Sequence, residues 1–173
     1  GRFTATGLVA AGALAAPARL TALHEATGIE GIRLGGGLGP AAAATAEELP
    51  AYPLLARAGE LGLNVNLYAR SADVAAVELL LSAFPGIPFS LDHLGVCPST
   101  PLVPDRWRRP RFDDEPIPPA TYDRILGLAR FPNLYVKVSG EYAFSKQPYP
   151  YADMRPMVAR AYEAFGPRRL MWC

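Results

Sequence analysis

The sequence contains 173 residues, of which 50% are hydrophobic and 19% are charged, a composition that excludes an intrinsically disordered chain. This length predicts one domain with a sizeable hydrophobic core. A net charge of +1 gives no general basis for binding nucleic acid or an anionic membrane, and the apolar run at residues 5–16 is too short to span a bilayer. The two cysteines, Cys97 and Cys173, form no metal or redox motif, which favours a reducing, cytoplasmic location.

Strand-like and helix-like stretches alternate along the whole chain. The predicted strands are residues 2–9, 31–34, 63–68, 88–93, 134–139 and 169–173. The predicted helices are residues 17–27, 47–61, 72–84, 122–129 and 153–165, with Asp153 as the N-terminal cap of the last one. No hairpin signature separates neighbouring strands, so the pattern predicts an α/β fold in which parallel strands are covered by helices.

A proline-rich segment, residues 95–118, interrupts this alternation. A loop of this length inside a compact domain is usually a lid or a binding loop. Its basic run, residues 106–111, is either a clamp for an acidic substrate or part of a solvated loop that acidic residues 113–115 neutralise.

Polar side chains recur at the carboxyl ends of four successive predicted strands. In chain order they are Arg33, Asn66, Tyr68, Asp92, His93, Lys137 and Ser139. In a parallel β/α barrel the carboxyl ends of the strands form one mouth, where active sites are built, and polar groups buried there are costly unless they are paired or used. The sequence therefore predicts a site at this mouth, although Asp92 and His93 cannot both point inward from a regular strand.

His93 is the first candidate for proton or metal chemistry. It stands at the end of a short apolar run that Gly95 then breaks, and an imidazole both changes charge near neutral pH and is a common metal ligand. The alternative is a core histidine whose two ring nitrogens are satisfied by neighbouring groups.

Three motifs carry a family resemblance: FSLDHLG (89–95), LARFPNLYVKVSG (128–140) and FGPRRLMW (165–172). In this order they resemble the amidohydrolase-2 family of TIM-barrel, metal-dependent hydrolases, which includes lactonases and some decarboxylases. GIEGIRL (28–34) and LGLNVNLYA (61–69) also resemble strands of that family, so the resemblance covers nearly all of the chain.

The resemblance implies a partial (β/α)8 barrel, in which the six predicted strands are the third to the eighth. It also implies that residues 1–173 are a single incomplete domain, with the first two β/α units and their His-x-His pair lying before Gly1. The general-base aspartate of the family would fall just after Cys173. On this expectation the chain is a fragment that is inactive by itself.

The family's residues can be matched position by position. His93 matches a histidine that binds metal or polarises the scissile carbonyl. Tyr68 matches a position that is a substrate-binding tyrosine in lactonases and a metal-binding histidine in some decarboxylases, and Arg33 resembles a contact to a substrate carboxylate. We expect Asn66, Lys137 and Ser139 to complete the substrate-binding wall. The resemblance implies a divalent metal such as zinc, or no metal in a lactonase-like enzyme.

These observations favour a hydrolase that acts on a lactone or related cyclic ester. The alternatives are a metal-dependent decarboxylase on the same barrel and a truncated barrel without catalytic activity. Residues 94–97 and 140–143 lack the arginines that the resemblance associates with dicarboxylate lactonases, which argues against the same dicarboxylate substrate. The expected partner is a small molecule, without nucleic acid or membrane, and the edges of an incomplete barrel make a homo-oligomer an expectation as well.

Overall fold

The structure is a computed structural model that describes residues 5–10, 13, 15–35, 38, 42–69, 73–96, 103–104, 110–111 and 116–173. Cys97 and the charged runs predicted to form a clamp or a solvated loop lie outside these residues, apart from the backbone of Pro110–Arg111. No helix in these ranges is long and apolar enough to cross a bilayer.

Six parallel strands form the main sheet, in the order β1-β2-β3-β4-β7-β8. Their bounds are Thr6–Leu8 (β1), Gly31–Gly35 (β2), Asn64–Tyr68 (β3), Phe89–Leu91 (β4), Leu134–Val138 (β7) and Leu170–Trp172 (β8). A short antiparallel pair lies between β4 and β7 in the chain: Val103–Pro104 (β5) and Pro110–Arg111 (β6). The predicted fold class, a partial barrel with six parallel strands and intervening helices, is confirmed.

Within the described residues, six α-helices connect the strands. They are Ala16–Thr27 (α1), Tyr52–Glu60 (α2), Val74–Ala83 (α3), Tyr122–Gly127 (α4), Glu141–Phe144 (α5) and Arg155–Phe165 (α6). The first helix ends at Gly28 as predicted, because this glycine takes a left-handed conformation with φ of 67°. The short helix α5 was not predicted.

Two predicted helix starts are wrong. The helix predicted over residues 47–61 is split into a 3₁₀ turn at Ala46–Glu48 and α2, because Leu49 precedes Pro50 and is therefore extended. Asp153 does not cap the last helix: its carboxylate accepts hydrogen bonds from Ser145 Oγ at 2.5 Å and from the backbone N–H of Lys146 at 2.7 Å.

The alternation within each strand gives the sheet an apolar face and a polar face. The apolar face packs into the core with the helices and consists of Ile32, Leu34, Val65, Leu67, Phe89, Leu91, Leu134, Val136 and Val138, each at most 4% exposed. The polar face carries Arg33, Asn66, Tyr68, Ser90, Tyr135 and Lys137. The predicted division between helix packing and a polar mouth therefore follows from the strand period of two residues.

Candidate functional site

The segment after β4 carries three consecutive residues with positive φ. Asp92 is still extended, but His93, Leu94 and Gly95 have φ angles of 54°, 57° and 75°. The left-handed conformation is unfavourable for residues with a side chain, and such strain is concentrated at functional sites. This turn resolves the orientation problem of the sequence, because it lets Asp92 and His93 both reach partners on the polar face.

Asp92 lies between two cationic side chains from different strands. Arg33 Nε of β2 donates to Asp92 Oδ2 at 2.7 Å, and Lys137 Nζ of β7 donates to Asp92 Oδ1 at 2.9 Å. The aspartate is 7% exposed, so its charge is removed from water and needs both partners. Both carboxylate oxygens are thus occupied, and two cations share one anion.

His93 lies beside this ion-pair group. Its Nδ1 is hydrogen-bonded with Ser139 Oγ at 2.9 Å, and its ring meets the Tyr68 ring edge-on at 5.5 Å between centroids. Burial lowers the pKa of His93, and the nearby charges of Arg33 and Lys137 lower it further, whereas the charge of Asp92 and a hydrogen bond with the Ser139 backbone oppose this. The imidazole is therefore neutral at neutral pH.

Arg33 also stacks on Tyr68. The guanidinium carbon lies 5.0 Å from the centre of the tyrosine ring, which is a cation–π distance. The ion pair with Asp92 uses Nε, so it does not consume the two terminal nitrogens of the guanidinium. These nitrogens have the planar geometry that binds a carboxylate through two hydrogen bonds.

Asn66 occupies a deeper position than the other predicted residues. Asn66 precedes Tyr68 by two residues in β3, and its Oδ1 accepts a hydrogen bond from Ser90 Oγ at 2.5 Å. Both side chains line a cavity of about 400 Å³ on the polar face, which Lys137 also lines. The structure thus brings Arg33, Tyr68, His93, Lys137 and Ser139 together around Asp92, and it places Asn66 in the next layer below.

Two residues that shape this group were given no role from the sequence. Asp92 was counted among the strand-end residues without a function, although an acidic residue between strand-end cations is a signal for an ion pair. Gly140 has φ of 79°, and a Cβ atom at this position would lie 2.7 Å from His93 Nδ1. A side chain here would therefore displace the imidazole.

The described residues do not by themselves make a metal site. They contain no group of three or more histidine, cysteine, aspartate or glutamate side chains placed to hold an ion. At the site the available donors are the imidazole of His93 and the carboxylate of Asp92, and the latter already bonds two cations. What this part of the chain offers is a neutral imidazole beside an excess of positive charge.

Comparisons with known proteins agree with this architecture. A family model described as Amidohydrolase (Amidohydro_2) matches residues 1–173. A Pseudomonas putida structure provisionally assigned as a 2-pyrone-4,6-dicarboxylic acid hydrolase is 24% identical, with a TM-score of 0.65 over 98% of this chain and 55% of that chain. A Burkholderia multivorans amidohydrolase with bound zinc is 20% identical, with a TM-score of 0.65 over 98% of this chain and 57% of that one.

A third similar structure comes from Acinetobacter baumannii. It is also provisionally assigned as a 2-pyrone-4,6-dicarboxylic acid hydrolase, contains citric acid, and is 20% identical, with a TM-score of 0.60 over 99% of this chain and 57% of that one. The chain thus spans a little over half the length of these three structures. A search of curated proteins gave no match.

Proposed function

The chain belongs to the amidohydrolase family, and from this membership we propose that it forms the electrophilic and substrate-binding wall of a hydrolase that acts on a lactone or related cyclic ester. The observation that carries the proposal is the gathering of His93, Arg33 and Tyr68 at the carboxyl ends of parallel strands. Two similar structures are provisionally assigned to the hydrolysis of a 2-pyrone, which is itself a lactone.

His93 is the proposed electrophile. When Ser139 Oγ–H donates to Nδ1, the proton of the neutral imidazole is on Nε2. That N–H can donate to the carbonyl oxygen of the lactone and stabilise the negative charge that develops there as water attacks. The lowered pKa of His93 suits this role, because the ring stays neutral at neutral pH and keeps one N–H for donation.

Arg33 and Tyr68 are the proposed orienting groups. The terminal nitrogens of Arg33 bind a carboxylate on the substrate, and the Tyr68 ring holds the guanidinium plane in place. Lys137, which is ion-paired with Asp92, adds a positive charge to the site. Ser139 orients the imidazole through its hydrogen bond with Nδ1, and Asn66 forms the deeper part of the wall.

The reaction also needs a general base that removes a proton from the attacking water. Asp92 is unsuitable because both of its oxygens accept hydrogen bonds from cations. We propose that the base is an aspartate outside these 173 residues. The chain covers only 55% of the length of the Pseudomonas structure, so further segments of a barrel of that length could supply this aspartate. The proton then passes to the alkoxide that leaves when the ring C–O bond breaks, so that lactone and water give a hydroxy acid.

A divalent metal such as zinc would polarise the carbonyl or the water if the native protein binds one. The donors of the described residues do not complete such a site, so any metal would need ligands from other segments. The zinc content of the purified native protein, measured by mass spectrometry, separates a metal-assisted reaction from one that uses the imidazole alone.

The test measures the hydrolysis of five- and six-membered lactones by the native protein and by the variant His93→Asn, with the release of acid as the readout. Asparagine tolerates the left-handed conformation at this position, so the variant is expected to fold. We expect a loss of about 100-fold or more in kcat, as for removal of an oxyanion donor. The matched control is His24→Asn, which changes a histidine of α1 whose Nδ1 bonds the backbone of Ile29.

An unchanged rate in His93→Asn would contradict the proposal. Release of carbon dioxide from an aromatic carboxylate, without lactone hydrolysis, would identify the decarboxylase alternative instead.

A further inference from the structure

We infer that Asp153 is a positioning residue for the imidazole of His93 and that it acts through the short helix α5. The inference rests on the proposed function, because it concerns the group that polarises the lactone carbonyl there. Asp153 does not cap α6, and its carboxylate binds the segment that follows α5 instead.

Helix α5 contacts the imidazole at both of its ends. At the carboxyl end Phe144 is 6% exposed, and 6.0 Å separates the centroids of its ring and the His93 ring. At the amino end a Cβ atom added to Gly140 would lie 2.7 Å from His93 Nδ1 and 3.0 Å from Phe144 Cε2. A shift of α5 would therefore move atoms that pack against the imidazole.

Phe144 removes a freedom that the hydrogen bond of the imidazole leaves open. Ser139 Oγ fixes Nδ1 of His93, but the ring can still swing about that bond and carry Nε2 away from the carbonyl oxygen. Two ring contacts restrict this movement, one with Tyr68 at 5.5 Å and one with Phe144. Because Phe144 belongs to α5, the direction of the Nε2–H bond depends on where α5 lies.

Asp153 anchors the carboxyl end of α5. Directly after Phe144 comes Ser145, which is 2% exposed and whose Oγ donates to Asp153 Oδ1 at 2.5 Å. The other carboxylate oxygen accepts from the backbone N–H of Lys146 at 2.7 Å. Hydrogen bonds to a carboxylate are stronger than those between neutral groups. Here they join the end of α5 to the 3₁₀ turn Ala152–Met154, which leads into α6.

The experiment introduces Asp153→Ala into the native protein, at whatever length its gene encodes, and measures kcat and KM for lactone hydrolysis. The variant should fold, because the buried hydroxyl of Ser145 can donate to the carbonyl of Gln147 instead, 2.9 Å away. Since misplacing a reacting group by about 1 Å costs about 100-fold, a fraction of that shift should lower kcat about tenfold. KM should not change, because Arg33 and Tyr68 stand on β2 and β3.

The matched control is Asn133→Ala. Asn133 is partly buried like Asp153, and its Nδ2 also holds a loop by two hydrogen bonds, to the carbonyls of Phe84 at 3.1 Å and Ile87 at 3.2 Å. It precedes β7, at the end of the sheet opposite to the site, so this variant should lose stability and keep its kcat. An unchanged kcat in Asp153→Ala, or an equal fall of kcat in both variants, would overturn the inference.

Two further variants test the route through α5. Phe144→Leu keeps an apolar side chain but removes the ring contact with His93, so its kcat should also fall about tenfold. Combined with Asp153→Ala it should lose little more than either variant alone, because both act on the imidazole through the same helix. An unchanged kcat in Phe144→Leu, or losses that multiply in the double variant, would overturn the inference.

The ring signals of His93 in an NMR spectrum give a readout that needs no turnover. They should shift in Asp153→Ala and stay in place in Asn133→Ala, and unmoved signals in Asp153→Ala would overturn the inference. A shift of these signals in a protein that hydrolyses no lactone would refute the proposed function and leave the positioning of the imidazole by Asp153 standing.

Discussion

The two faces of the sheet come from the same strands but depend on different interactions. On the apolar face, Val65 and Leu67 are fully buried in the same hydrophobic core as residues of the neighbouring helices. On the polar face, Arg33 and Lys137 obtain their partner, Asp92, from a separate strand. The stability of the first face is therefore set by burial, whereas the second depends on pairing across the sheet.

The largest expected effect is a loss of stability caused by a cavity in the apolar face. Leu67→Ala should lower the free energy of unfolding by about 3 kcal/mol, because it removes a fully buried side chain and leaves a cavity. Its neighbour on the other face, Asn66, is half-buried with a hydrogen bond from Ser90, and Asn66→Ala should cost about 1 kcal/mol. Urea unfolding of the native protein measures both, and equal losses would show that the two faces do not differ in this way.

A smaller effect, on the rate of hydrolysis, is expected from a substitution beside His93 on the polar face. Gly140→Ala should reduce lactone hydrolysis by about tenfold or more, since misplacing a reacting group by a fraction of an ångström to an ångström costs this much or more. The added Cβ would stand 2.7 Å from His93 Nδ1, so the imidazole must move. The measurement is kcat together with the ring signals of His93 in an NMR spectrum.

The control for this variant is Gly28→Ala. Gly28 has φ of 67°, close to the 79° of Gly140, but no atom lies within 4 Å of its added Cβ. Both variants should lose about 1 kcal/mol from the left-handed strain, and Gly140→Ala alone should lose activity. If Gly28→Ala loses as much activity, the effect is backbone strain and not displacement of His93.

The smallest expected effect is a dependence of stability on pH. Because the pKa of His93 is lowered below 6.5 in the folded protein, the unfolded chain binds a proton more readily than the folded one. This contribution to stability is fully present above pH 6.5 and is lost as the pH falls through the folded pKa. Urea unfolding at pH 7.5 and pH 5.5, with a chelator present, should show a smaller loss in His93→Asn than in the native protein.

A large part of this fold follows from local pattern alone. The alternation of Leu67 with Asn66 and Tyr68 predicted both faces of β3, because side chains of a strand point to opposite sides in turn. The break at Gly28 predicted the end of α1. The helix over residues 47–61 was predicted too long, since the effect of Pro50 on Leu49 was not weighed against the apolar period.

The residues of the candidate site were predicted one by one, but the contacts between them were not. Arg33, Tyr68, His93, Lys137 and Ser139 were chosen because each polar residue ends a strand, and the structure brings them into one group. Asn66 was chosen by the same rule and lies one layer deeper, bonded to Ser90. The rule predicts which face a side chain occupies but not the layer at which it meets its neighbours.

By itself, the sequence determined the succession of strands and helices, the polar ends of the strands and the family resemblance, since these depend on local period and on motifs. Only the tertiary structure decided how Asp92 is used, because its partners lie 59 and 45 residues away along the chain. It also decided the left-handed turn at His93 and Leu94, since the local sequence does not favour positive φ for a leucine. Contacts between distant strands hold this turn, and with it the arrangement of the site.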